Sequence, residues 1–158
     1  MRGWRLGDGH GQAIALELAL PIVAVPTTYA GSEMTPIWGS TSDRRKRTGR
    51  DLRVLPRTVI YDPELTLSPP RSVTGPSGMN ALAHGVEALY APNTNPMMGV
   101  LAEEAIRALH RGLLALVDHS DDIEARSTVL YGAYLAGACL AVTGTSMHHK
   151  ITHILGGA

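Results

Sequence analysis

The residues Asn80, His84 and Glu87 constrain this chain more than any others. In the stretch Ser77 to Tyr90 they fall at i, i+4 and i+7, so a helix stacks them along one face. Met79, Leu82, Ala83, Val86 and Tyr90 share that period on an adjacent apolar stripe. A polar seam beside an apolar one is unusual on a helix that reads as largely buried. Buried polar groups need partners, so the seam must face a cleft, a ligand or another polar helix. A partner stretch lies downstream at His148 to His153, where His149 and His153 are again i, i+4. Two such helices facing each other would converge up to three imidazoles on one point. The same spacing also describes two amphipathic helices with ordinary hydrogen-bonded histidines, and it leaves both readings open.

The chain around this seam changes character once. Pro21 to Pro26 is a continuous apolar run bounded by prolines, the pattern of a strand buried on both faces of a parallel sheet. Ligands of such sheets bind beyond the carboxyl ends of the strands. The next segment, Thr27-Thr28-Tyr29-Ala30-Gly31-Ser32-Glu33-Met34-Thr35, is rich in hydroxyls and backbone donors that suit phosphate or ribose. The same composition suits a connecting loop that caps a helix. Asp43 to Arg53 is basic, through Arg44, Arg45, Lys46, Arg47, Arg50 and Arg53, which reads as a solvated hairpin or as a surface for an anionic cofactor or a dicarboxylate. Arg57 to Tyr61 gives a second short strand, closed by Asp62-Pro63.

From Pro69 onward alanine, leucine and glutamate recur with helical period. Helices are expected over Leu101–Val117 and Asp122–Thr143, with a loop at Pro92–Pro96 between the helix that carries Asn80 and the one over Leu101–Val117. Gly132, Ala133, Ala136, Gly137 and Ala138 are small enough to permit tight helix packing, and His110 and His119 read as surface histidines. The expected architecture is therefore an α/β part over residues 1–66 and an all-helical part over 67–158. Two strands cannot cover their own faces, so the chain reads as incomplete. Lys plus Arg and Asp plus Glu number 14 each, which gives no footprint for nucleic acid or a membrane surface. Cys139 is the only cysteine, which excludes an internal disulfide and fits a reducing cytoplasm.

Three separated blocks resemble one family. Pro21 to Glu33 resembles the nucleotide-binding segment of iron-containing (group III) alcohol dehydrogenases. Tyr61 to Thr66 and Gly78 to His84 resemble the family's next two blocks, in the right order. Thr27 to Glu33, Ser77 to His84 and His148 to His153 look most like its maleylacetate reductase branch. The resemblance implies a Rossmann-like remnant joined to an all-α domain, the architecture also described as dehydroquinate synthase-like, with the active site between them. Thr27, Thr28, Gly31, Ser32 and Lys46 match cofactor-side positions. His84 and His149 match two metal-ligand positions, and His153 matches the histidine near the nicotinamide.

Asn80 stands where the metal-dependent members carry an aspartate ligand. An amide lacks the anionic charge that makes a carboxylate a good ligand for a divalent cation. The resemblance thus implies a cofactor of NADH or NADPH, no metal, and reduction of maleylacetate to 3-oxoadipate in aromatic degradation. Without a metal the developing enolate needs hydrogen-bond donors and then a proton, roles for His84, His149 and His153. Tyr29, Asn80, Arg50 and Lys150 are the candidates for the dicarboxylate substrate, and a homodimer is implied for the full-length enzyme. The alternatives are a metal-dependent alcohol or glycerol-type dehydrogenase of the same superfamily and a non-catalytic helical fragment. Family members are roughly twice this long, so the resemblance implies a chain truncated at both ends, and by itself it is expected to be inactive. Trp4 to Gln12, if read one base later through GC-rich codons, can give Gly-Ala-Ser-Ala-Thr-Gly-Met-Ala-Lys, like the family's phosphate loop; residues 1–12 are therefore expected to be frame-shifted.

Overall fold

The structure, a computed structural model, describes residues 20–42 and 45–155, with backbone alone at 41, 42, 45, 46 and 153–155. The expectations for residues 1–12 lie outside this range. Four helices dominate: α1 (Arg71–Tyr90), α2 (Pro96–Asp118), α3 (Ile123–Thr143) and α4 (Met147–Leu155). Their boundaries follow local chemistry. Asn95 accepts from the Met98 N–H at 3.0 Å and Pro96 opens α2. Asp122 accepts from the Ala125 N–H at 3.1 Å to start α3, which stops at Gly144 with φ 71°.

The α3 helix is the centre of the core. Val129, Ala133, Ala136 and Cys139 on it are fully enclosed. It is also long and apolar enough, by length and composition alone, to cross a membrane, yet most of it is buried against α1 and α2. As expected, its small residues set the packing. A Cβ at Gly132 would sit 2.7 Å from Leu109 Cγ, so α2 and α3 approach as closely as glycine allows.

The face that α1 buries is not the apolar stripe expected for it. Met79, Val86 and Tyr90 are exposed, whereas Gly78, Ala81, Gly85 and Ala88 are buried together with His84 and Glu87. Close approach decides this. A Cβ at Gly78 would meet Leu113 Cδ2 at 2.5 Å, and one at Gly85 would meet Ile106 Cγ1 at 3.2 Å. Tight backbone packing through small residues outweighs the burial of larger side chains on the neighbouring face.

The β part is slight. β1 (Val23–Ala24) pairs in parallel with β4 (Thr58–Val59), while β2 (Ile37–Ser42) and β3 (Arg45–Arg50) form an antiparallel hairpin. The parallel pairing expected from Pro21–Pro26 is present, but burial on both faces is not, since Val23 is 59% and Val25 44% exposed. Among the described residues only β4 pairs with β1, and in each strand one residue is exposed while the next is half-buried. Of the basic run, Arg45 to Arg50 form β3, whose partner strand over Ile37–Ser42 carries no alternating pattern that would announce it.

Candidate active site

The turn after β1 is fixed to the helices at several points. Gly31 adopts φ 75°, and a Cβ there would fall 2.6 Å from the Ala133 carbonyl oxygen, so only glycine lets the turn lie against α3. The Tyr29 N–H donates to Ser77 Oγ on α1 at 3.3 Å, three residues before Asn80. Tyr29 itself is 1% exposed, and its hydroxyl donates to Thr66 Oγ1 at 2.9 Å and accepts from Arg126 Nη1 at 3.0 Å. Its hydroxyl is therefore engaged inside the core and does not face a substrate. Buried Arg126 also donates to the carbonyls of Thr66 and Ser120, so the guanidinium is satisfied without any carboxylate.

Thr27 and Ser32 are exposed and Thr28 is half-buried on the same turn. Lys46 lies on β3, its backbone opposite Thr41. Arg50 donates through Nη2 to the Ala141 carbonyl in the last turn of α3 at 3.1 Å, which ties the hairpin to the helical core. Lys150 is exposed on α4. His153 follows His149 by one helical turn on α4. His110 and His119 are both exposed, as their neighbours suggested.

The polar seam of α1 does find its partner in α4. His84 and His149 stack with ring centroids 4.1 Å apart and planes 9° from parallel. The Asn80 side chain, at the exposed end of the seam, contacts both: Nδ2 lies 3.2 Å from His84 Nε2 and Oδ1 3.1 Å from His149 Nε2. Glu87 closes the other end. It accepts from the Ser146 N–H at 3.1 Å, the His149 N–H at 3.1 Å and His149 Nδ1 at 2.6 Å. Burial alone would raise the Glu87 pKa, but these N–H donors outweigh it and hold the carboxyl below its ordinary range. An ionised carboxylate only accepts, so the proton in the short bond belongs to His149 Nδ1.

His84 behaves differently. Burial, with the neighbouring His149 adding to it, lowers its pKa to about 4, so the ring is neutral at pH 7. Its Nδ1 is the one buried side-chain nitrogen or oxygen among the described residues that has no hydrogen-bond partner. Sequence reasoning placed Glu87 on the seam but gave it no role. The signal was available: an acid three residues after His84, on a face whose other buried residues are mostly glycine and alanine, needs donors from another element.

The sequence pattern of the Fe-containing alcohol dehydrogenase family, C-terminal part, matches residues 74–158, so the chain belongs to that family. Within it, the chain is similar to named maleylacetate reductases. It is 58% identical over 150 residues to maleylacetate reductase of Burkholderia cepacia, covering 95% of this chain and 43% of that protein. Against maleylacetate reductase 2 of Cupriavidus pinatubonensis the identity is 57% over 149 residues, covering 94% and 42%. The crystal structure of maleylacetate reductase from Rhizobium sp. strain MTP-10005 superposes with a TM-score of 0.83 at 48% identity, over 87% of this chain and 39% of that one. The chain thus spans less than half the length of each of these relatives.

The family name implies iron, and the donor set can be tested for it. One atom each from His84, Glu87 and His149 lie within 4.8 Å of one another, a spacing that a divalent cation could bridge. Their directions do not suit it. An imidazole binds a metal in its own plane, and two stacked, near-parallel rings do not aim their lone pairs at one point. Both Glu87 oxygens already accept hydrogen bonds, and the third side chain at the convergence of the two Nε2 atoms is the uncharged Asn80. As arranged, the cluster is an imidazole pair bridged by an amide rather than a closed ligand cage.

Proposed function

We propose that this chain carries the proton-handling half of an NADH- or NADPH-dependent maleylacetate reductase, and that it works without a metal ion. The observation that carries the reading is the Asn80 amide, seated within hydrogen-bond distance of Nε2 of both His84 and His149. Similarity to maleylacetate reductases of known name supports the substrate class. In this reading residues 1–66 belong to a Rossmann-like nucleotide-binding domain and 67–158 to the helical catalytic domain. The β1–β4 pair is one edge of the nucleotide-binding sheet, and Thr27, Thr28, Gly31, Ser32 and Lys46 are the candidate cofactor-side positions.

A reduced nicotinamide bound beside that turn would supply a hydride to the conjugated double bond. The chain's own residues then do the rest. His84, His149 and His153 are the candidates for the two remaining roles: one donates a hydrogen bond to the enolate oxygen that develops, and one donates the proton to the neighbouring carbon that gives 3-oxoadipate. Arg50, Lys150 and the exposed Asn80 amide are the candidates for the substrate carboxylates. The partner is then a small dicarboxylate, with no nucleic acid or membrane, in a cytoplasmic homodimer.

A metal-dependent alcohol dehydrogenase is the second reading, favoured by the close approach of ligand atoms from His84, Glu87 and His149. Grafting separates the two. This chain replaces the matching segment of the Burkholderia cepacia enzyme, and NADH oxidation is followed with maleylacetate and with simple aldehydes. Turnover of maleylacetate alone is expected. A graft that reduces aldehydes and ignores maleylacetate would reverse the assignment.

A further inference from the structure

Glu87 has a place in the site that neither the family resemblance nor the proposed reaction requires. It is 1% exposed, on the opposite side of His149 from Asn80, and its two oxygens face one helix start. The Ser146 N–H and the His149 N–H are donors that the first turn of α4 cannot satisfy internally, and both end on Glu87. The Lys150 N–H to Ser146 carbonyl bond, 3.2 Å, marks that same first turn. A carboxylate from α1 therefore caps α4 from outside, the role that an acid at the third helical position usually plays from within.

The same carboxylate sets the imidazole. His149 Nδ1 lies 2.6 Å from Oε2, while Nε2 faces Asn80. Two assignments of the Asn80 amide satisfy the contacts. With Oδ1 toward His149, Nε2 carries a second proton; with the amide rotated, Nε2 accepts from Nδ2. Both keep the proton on Nδ1. That bond is thus the fixed point of the cluster, whichever way the amide sits.

We propose that Glu87 is a positioning residue for His149: it clamps the start of α4 and fixes the Nδ1 proton, so that Nε2 is presented to Asn80 and the open side of the site. This deepens the reading of the cluster as a reaction centre, and it assigns Glu87 a supporting rather than a ligating role. Acids that orient a working imidazole through its far nitrogen act in this way in other sites.

Histidine-labelled chain examined by 1H–15N NMR tests the proposal with no cofactor or substrate. In the unaltered chain at pH 7.5, Nδ1 of His149 should be protonated, with a proton exchanging slowly with water. Finding Nδ1 bare overturns the proposal. Glu87→Gln keeps the shape but turns one acceptor into a donor. It should make the amide protons of Ser146 and His149 exchange at least tenfold faster and weaken the Nδ1 proton signal, while α3 amides stay protected. Glu87→Asp, which keeps the charge, should retain the Nδ1 proton. Unchanged His149 signals in Glu87→Gln count against it. So does loss of the Nδ1 proton when zinc is added to the unaltered chain, since Nδ1 and Glu87 would then be ligands. Because the readout needs no turnover, a correct tautomer with an inactive graft would reject the maleylacetate reading and leave this one standing.

Discussion

Two buried polar clusters hold loops to the helices of this chain, and they are built with opposite charge. Glu87, on α1, is a carboxylate met by three N–H donors from the start of α4. Arg126, on α3, is a guanidinium met by the carbonyls of Thr66 and Ser120 and the hydroxyls of Thr66 and Tyr29. The Arg126 cluster is saturated and enclosed. The Glu87 cluster is not: His84 Nδ1 has no partner, and Asn80 opens one end to solvent. A saturated cluster can only staple. One with an unpartnered nitrogen and an exposed amide retains capacity to bind and to move protons.

Substitutions in each cluster can break that contrast. Arg126→Met should have the largest effect, because it removes the donors to the Thr66 and Ser120 carbonyls and one of the two hydrogen bonds of the Tyr29 hydroxyl, together with a buried charge. A loss of about 3–5 kcal/mol in urea unfolding is expected, with His149 resonances unmoved in the fraction that remains folded. A change below about 1 kcal/mol would show that the staple carries no weight.

Acid should act on the other cluster. The folded pKa of His84, about 4, lies below its ordinary value of 6.5. Its contribution is therefore complete above about pH 6.5 and lost as the pH falls through 4, up to about 3 kcal/mol in the metal-free chain. Glu87 is also shifted downward and adds a loss in the same direction below its ordinary 4.5. Urea midpoints measured from pH 7 to pH 4 should fall, and His84→Asn should flatten the upper part of that slope. A flat profile in the unaltered chain would mean that the imidazole is not buried as described.

Tyr29→Phe is the mildest change. Arg126 keeps its carbonyl partners, so about 1 kcal/mol is expected, and in the graft the Michaelis constant for maleylacetate should not move. A large rise in that constant would return Tyr29 to the substrate site.

Much of the working cluster was legible in the sequence because it obeys a single period. Asn80, His84 and Glu87 share a helix face whatever the rest of the fold does, and His149 needed only one more helix to meet them. What the period could not show was which face of α1 is buried. Gly78, Ala81, Gly85 and Ala88 carry little hydrophobic signal, yet they permit the closest approach, so Met79, Val86 and Tyr90 were left outside. Tyr29 escaped for a different reason. Its partner Arg126 lies 97 residues away, and nothing near either residue announces the pairing. The hairpin strand Ile37–Ser42 is defined only by its pairing with Arg45–Arg50, which no local pattern reports.

The central claim is that the amide-bridged imidazole pair turns over its substrate with no metal bound. The most direct test is maleylacetate-dependent NADH oxidation by the graft after exhaustive chelation, with iron and zinc quantified in the same sample. The account predicts full turnover with both metals far below one per chain. Activity that vanishes on chelation and returns only with added iron would contradict it.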